Sequence, residues 1–317
     1  MPAIKRSIVK TETVSKKIKL ENEIEKTKKE VQHIKVEIEK PPNQFQNIDP
    51  EDYEAGPKNW HKIYNEVVEM RSKVMTPVDT VGCERMPNTI TPHLKSNKPK
   101  LYRFQLLISL MLSSQTKDEV NFATMTKLNE HLGELNLENM SKLNEVEIDK
   151  LICKIGFHNR KAKYIKETCQ ILLNKFDGDI PKTIEDLISL PGVGPKMGYL
   201  ILQNGWDINN GIGVDVHLHR LSLMWKWCQN KHPEKARLEL EKWLPSKYWT
   251  DVNPLMVGFG QVVCVPRAPN CDICTLGKKG LCASRNRKLV NQPMTEARIE
   301  KLQKQRGDLT KLIENVL

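Results

Sequence analysis

The sequence predicts an all-α protein. Apolar residues recur at helical spacing along most of its 317 residues, no stretch alternates convincingly as a strand would, and turns rich in glycine and proline separate the periodic segments. Trp60, Ile63, Val67 and Met70 predict the first packed helix, over 60–74. Residues 77–100 are rich in proline and read as a long connection. Tyr102 to Leu112 is apolar enough for a buried helix, and the polar patch Ser113 to Asp118 reads as its cap. Helical periodicity resumes over 120–132, 142–152 and 161–176. Between the last two lies Ile155-Gly156-Phe157-His158-Asn159-Arg160-Lys161, which reads either as an ordinary connection or as a wedge with phosphate contacts. Beyond His217, Leu218, Leu221, Met224 and Trp225 form one apolar face, Leu238 to Leu244 forms another, and 254–263 is again apolar. Trp225, Trp227, Trp243 and Trp249 read as core.

Composition bounds the partners. The chain carries 50 Lys and Arg against 39 Asp and Glu, a formal net charge of +11. That excess favours a polyanion such as nucleic acid. A hydrophobic fraction of 39% and a mean hydropathy of −0.51 indicate a soluble protein. No apolar run approaches the ~18 residues of a membrane span. Met1 to Lys10 lacks the apolar centre of a signal peptide.

Residues 1–56 read as a disordered basic tail. Lys5, Arg6, Lys10, Lys16, Lys17 and Lys19 face Glu12 alone among the acids of the first 20 residues. The clusters Lys5-Arg6 and Lys16-Lys17 suit a nuclear address, a mitochondrial transit segment is the rival, and a solvated tail with no address is the plain alternative. Leu20, Ile24, Val31, Ile34 and Ile38 fall near helical spacing, which suits a transient helix.

The most informative stretch is 184–220. Helical residues ending at Leu190 meet Pro191-Gly192-Val193-Gly194-Pro195-Lys196, and a second apolar run follows from Met197 to Leu202. Pro191, Gly192 and Gly194 break the first helix and permit positive φ, and Pro195 suits the first position of the next. Free backbone N–H groups at such a turn, with the positive helix end, form an anion site. Lys196 sits one step inside that helix, where the field disfavours an ammonium; an amine freed of its proton is a candidate nucleophile. Asp215 in Gly213-Val214-Asp215-Val216-His217 offers a carboxylate before another helix. Together they are the minimum for imine chemistry at a sugar carbon. The plain alternatives are a loop closure, a solvated lysine and a helix cap. The glycines run GxGxxxG with no preceding strand, which argues against a dinucleotide site, and no Walker A pattern is present.

Cys264, Cys271, Cys274 and Cys282 give C-x6-C-x2-C-x7-C. Four thiolates so close in sequence can close on one centre, either an iron–sulfur cluster or zinc. Uneven spacing with a single CxxC pair favours the cluster; unligated thiols are the remaining alternative. Arg267, Lys278 and Lys279 lie among these cysteines, with Arg285, Arg287 and Lys288 just after, which reads as a phosphate-contacting surface or a solvated rim. Cys83, Cys153, Cys169 and Cys228 read as buried thiols.

These motifs, in this order, resemble endonuclease III, the bifunctional DNA glycosylase and AP lyase of base excision repair. The resemblance rests on Leu190 to Lys196, Val214 to His217, Leu112-Ser113-Ser114-Gln115-Thr116, Val257-Gly258-Phe259-Gly260-Gln261 and the four cysteines, and it spans about residues 58–285. Pro77-Val78-Asp79 and the basic tail look like the eukaryotic form. The resemblance implies a helix-hairpin-helix glycosylase fold, with a six-helix barrel at 99–213. A cluster lobe would be made of 57–98 and 214–290, followed by an extension at 291–317.

It further implies that Lys196 is the nucleophile, Asp215 the essential carboxylate, and the cysteines the ligands of a [4Fe-4S] cluster. Gln115 would fill the gap left by an extruded nucleotide, Phe157 would stand at a wedge position, and Gly192, Val193, Gly194, Pro195, Lys278 and Lys279 would contact DNA. The implied partner is double-stranded DNA with damaged or abasic sites, bound by a monomer in the nucleus and the mitochondrion. The substrates would be oxidised pyrimidines.

Three features depart from the family pattern: a longer last cysteine gap, an aromatic wedge, and Pro195 at a commonly basic or polar position. Adenine-removing relatives generally lack the lysine and the 8-oxoguanine branch lacks the four cysteines, so the pair points to endonuclease III. The rival functions are a non-catalytic DNA-binding module and an iron–sulfur electron carrier.

Overall fold

Helix boundaries follow local cap chemistry. Proline opens several helices and Asn, Thr or Asp side chains cap others, each accepting a backbone N–H of the first turn. The computed structural model describes residues 45–317. They belong to one compact unit, Pro41–Leu317, and all regular structure among the described residues is helical. The basic clusters and the 20–40 segment lie outside the described residues.

The helices are α1 (Trp60–Arg71), α2 (Pro77–Val81), α3 (Met86–Ile90), α4 (Leu94–Asn97), α5 (Pro99–Ser113), α6 (Asp118–Leu132), α7 (Leu137–Lys142), α8 (Glu145–Leu151) and α9 (His158–Lys175). They continue with α10 (Ile184–Ser189), α11 (Pro195–Trp206), α12 (Val216–Met224), α13 (Pro233–Glu241), α14 (Trp249–Val262), α15 (Thr275–Lys278), α16 (Arg287–Asn291), α17 (Glu296–Gln303) and α18 (Thr310–Glu314).

Several expected segments change character. Residues 77–100 hold three short helices rather than an open connection. Thr76 forms a capping box with Asp79, and Asp79 pairs with Arg71 at 2.7 Å where both side chains are almost fully buried. The 142–152 segment is split between two helices, because Asn144 caps a new start at Glu145. Of the expected tail, residues 45–55 pack: Ile48 is 2% exposed, its N–H donates to Asn65 Oδ1 at 2.8 Å, and the Asp49 N–H donates to Tyr248 Oη at 2.9 Å. Cys169 and Cys228 are buried as expected, but Cys153 is exposed.

One hydrophobic cluster joins α1 to α12, α13, α14, the cysteine loop and the C-terminal Leu302, Leu309, Leu312 and Ile313. Trp225 and Trp227 lie in it, and Trp243 and Trp249 pack against it. Buried side chains of α5 to α11, among them Leu107, Met125, Ile165 and Ile201, fall outside that cluster. Two packings, α11 on α5 and α14 on α12, set the positions of the residues considered next.

Candidate active site

The glycine turn joins α10 to α11. The Thr183 hydroxyl accepts the Asp186 N–H at 3.2 Å to start α10, and beyond its end the Val193 N–H returns to the Leu190 carbonyl at 3.1 Å. Gly192 is the position that demands glycine: its φ is +79°, and a Cβ there would stand 2.5 Å from Tyr164 Cδ2. The expected positive φ does not extend to Gly194, which is extended at φ −102° and caps α11. Nothing lies within 4 Å of where a Gly194 Cβ would be. Pro195 takes the first helical position, as its missing N–H allows, and Val193 is buried.

Lys196 follows in the first turn and is half-buried. Its charge is felt by Cys83, Glu84, Asp118 and His217. The chain beyond α11 returns against it: a Cβ on Gly213 would lie 3.3 Å from the Lys196 carbonyl oxygen. Asn253 Nδ2 donates to the Gly213 carbonyl and fixes that pass. Asp215 caps α12, its Oδ1 accepting the Leu218 N–H at 2.7 Å; Oδ2 makes no hydrogen bond among the described residues. Asp215 thus serves as the cap of α12 through Oδ1. His217, in the first turn of α12, lies in the fields of both Asp215 and Lys196, with its pKa pushed down chiefly by burial.

Asp118 lies within the field of Lys196, and sequence reasoning does not single it out. Burial above all raises its carboxyl to about 6, against the pull of Gln261, whose Nε2 donates to it at 2.8 Å. Gln261 in turn accepts the Val78 N–H at 3.1 Å. Asp118 belongs to the polar patch that reads as a cap, and nothing in its sequence signals the Gln261 contact.

Gln115 and Phe157 are brought together. Both are exposed, Phe157 at 58%, and both hold positive φ, 52° and 58°. Gly156 permits the approach, since a Cβ there would stand 2.7 Å from the Gln115 carbonyl oxygen.

The four cysteines line one largely apolar cavity with Met224, Trp225 and Phe259, and none is disulfide-bonded. The Asn286 N–H points at Cys271 Sγ from 3.5 Å, and Arg220 Nη1 at Cys264 Sγ from 3.6 Å. An all-sulfur donor set with N–H groups aimed at it suits a centre that binds thiolates. Lys278 is exposed, whereas Lys279 is ion-paired with Glu66.

The HhH-GPD superfamily base excision DNA repair protein family matches residues 108–246. The chain is 46% identical to the endonuclease III homolog of Schizosaccharomyces pombe over 254 residues, which cover 80% of this chain and 70% of that one. It is similar to the solved structure of a non-covalent endonuclease III–DNA complex, with a TM-score of 0.55 and 25% identity, over 68% of this chain and 100% of that one. A trapped endonuclease III–DNA covalent intermediate, an estranged-adenine complex, gives a TM-score of 0.53 at 25% identity, over 65% and 99%. With its helical fold, hairpin lysine and converging cysteines, this chain belongs to the endonuclease III family of HhH-GPD base excision repair DNA glycosylases.

Proposed function

We propose that the chain excises oxidised pyrimidines from double-stranded DNA and then nicks the strand at the abasic site it has made. The observation that carries this reading is the half-buried Lys196 at the start of α11, with the Gly213–Asp215 segment returning against its backbone. The damaged nucleotide is flipped out of the stack, which costs least for a weakly paired base. Lys196, as the free amine, attacks C1′ of the sugar. The bond from C1′ to the base breaks, and the base leaves with the electron pair and takes up a proton. Asp215 either accepts the proton that Lys196 loses or steadies positive charge on the sugar ring. The ring then opens to a protonated imine on Lys196. A proton leaves C2′, the C3′–O bond breaks, and the strand is nicked 3′ to the abasic site.

In this reading DNA lies between two lobes, 99–213 on one side and 57–98 with 214–290 on the other. The hydrophobic cluster that unites α1 with α12 to α14 and excludes α5 to α11 supports that division for α1, whereas Val78, Val81, Met86 and Leu94 of α2 to α4 are buried outside it. Gly192 to Pro195 offer backbone to a phosphate, and the open surroundings of Gly194 favour it. Cys264, Cys271, Cys274 and Cys282 would hold a [4Fe-4S] cluster, which when bound cross-links the basic loop carrying Lys278. Lys279 joins the DNA contacts after leaving Glu66. The enzyme acts as a monomer, in the nucleus and also in the mitochondrion. The trapped covalent complex of an endonuclease III with DNA supports a covalent step.

Borohydride trapping on a duplex with an abasic site tests the lyase. The expected result is a covalent adduct in the native chain and none in Lys196→Gln; an adduct that survives the substitution ends the assignment. Single-turnover excision from duplexes carrying different oxidised bases then defines the substrate.

A further inference from the structure

Lys161 is 6% exposed in the first turn of α9. Its Nζ donates to the Leu112 carbonyl at 2.7 Å and to the Ser114 carbonyl at 2.7 Å, with Thr116 Oγ1 at 3.5 Å. The first acceptor lies in the last turn of α5, where carbonyls lack helical partners. The second belongs to the residue directly before Gln115. A lysine thus ties the base of the Gln115 turn to the helix that Phe157 caps.

One further link runs the same way, and a second contact braces the Phe157 turn against α8. The Gly156 N–H donates to Thr116 Oγ1 at 3.2 Å. His158 Nδ1 lies 2.5 Å from Asp149 Oδ1, which anchors the far side of the Phe157 turn. Gln115 and Phe157 both hold left-handed backbone, which L side chains rarely adopt without outside support. Burial pushes the Lys161 pKa down to about 8, so this ammonium is held against desolvation rather than displayed to solvent. Charge-assisted bonds of this kind are stronger than neutral ones and fix geometry.

We propose that Lys161 is a positioning residue that locks the Gln115 turn to the Phe157 turn, so that the two enter the duplex as one preformed unit. The proposal rests on the reading of Gln115 and Phe157 as the residues that enter DNA. It predicts a substrate-dependent defect. A duplex must be opened by both turns, whereas an abasic site in single-stranded DNA needs no such opening.

The test compares Lys161→Met, Lys161→Arg and Gln115→Ala in the full chain. Excision from a lesion-bearing duplex is measured in single turnover, with 2-aminopurine opposite the lesion to report insertion. Borohydride trapping on single-stranded abasic DNA is measured beside it. Lys161→Met is expected to slow duplex excision about 10- to 100-fold and to delay the 2-aminopurine signal, with single-strand trapping within about twofold. Lys161→Arg recovers part of the loss, and Lys161→Met made in the Gln115→Ala background adds little. Equal losses on both substrates, or additive losses with Gln115→Ala, would overturn the proposal. If Lys161→Met does not fold, Thr116→Val removes the parallel link and must give the same substrate pattern. Failure of the underlying reading is separate: it shows as no adduct in the native chain, or as no duplex defect in Gln115→Ala.

Discussion

Gly213 passes so close to Lys196 that a Cβ on it would meet the Lys196 carbonyl oxygen at 3.3 Å and Leu200 Cγ at 2.8 Å. The backbone here is the shared floor of the candidate nucleophile and of Asp215 two residues on. Gly213→Ala must displace either this pass or the Leu200 side chain beneath it, while Asn253 restrains the Gly213 carbonyl. The expected outcome is a loss of about 10- to 100-fold in the rate of adduct formation, because misplacement by an ångström is that costly. Helical content by circular dichroism should remain. A variant with native trapping rates would show that the close pass has no bearing on the chemistry.

Asp118 makes stability depend on pH in a stated direction. Its carboxyl titrates at about 6 in the folded chain, against 3.8 for the free group, and burial is the main cause. Between those values the native state holds a proton that the unfolded chain has lost, so stability falls as pH rises from about 4 to about 6. The cost of burying the carboxylate is fully present above pH 6, on the order of 2–3 kcal/mol. Asp118→Asn keeps an acceptor for Gln261 and removes the charge. The variant is expected to be more stable than the native chain at pH 7, with the difference fading towards pH 4. Urea unfolding at a series of pH values checks this, and parallel curves would refute it.

Arg71 and Asp79 test how much of the fold hangs on one pair. Arg71 Nη2 donates to Asp79 Oδ1 at 2.7 Å and Nη1 to the Val74 carbonyl at 2.9 Å, and the guanidinium lies against Gly258 of α14. Asp79 also accepts the Thr76 N–H at 2.8 Å. Asp79→Ala strands a buried cation and deletes a cap, so a loss of about 3–5 kcal/mol is expected. The double change Arg71→Met with Asp79→Leu removes both charges and should cost less than the single one. Denaturant unfolding of the native chain and the two variants settles the order.

Features whose signal is local are legible in the sequence. The Pro-Gly punctuation at 191–195 places the turn and its lysine, and the cysteine spacing announces four thiols that line one cavity. Legibility ends where stability comes from elsewhere in the chain. The helices of 77–97 are five residues or shorter, and α2 depends on a buried partner in α1. Lys161 looks like any basic residue of its turn; its burial follows from the approach of α5, which no local pattern encodes. Likewise the charge-rich 291–317 segment hides Leu302, Leu309, Leu312 and Ile313, all buried in the core that α1 and α14 share.

That C-terminal segment grips the cysteine loop. Arg298 forms a fork on Asp272, Nε to Oδ2 at 2.7 Å and Nη2 to Oδ1 at 2.9 Å, and Nη2 also donates to Asn270 Oδ1 at 2.9 Å. Asn270 is fully buried and passes the restraint on, its Nδ2 donating to the Val262 carbonyl at 2.9 Å and to Gln305 Oε1 at 2.8 Å. Asp272 stands between Cys271 and Cys274, so any slack in the fork reaches both thiols. Arg298→Ala leaves Asp272, 6% exposed, without its cation and should cost about 3 kcal/mol. Arg298→Lys keeps the charge and loses the planar fork, so its stability should fall between those of the native chain and the alanine variant. If the cysteines hold an iron–sulfur cluster, its visible absorbance should bleach faster under an iron chelator in the same order, native chain slowest and Arg298→Ala fastest. Equal bleaching rates with unequal stabilities would separate the strap from the cluster and confine its role to folding.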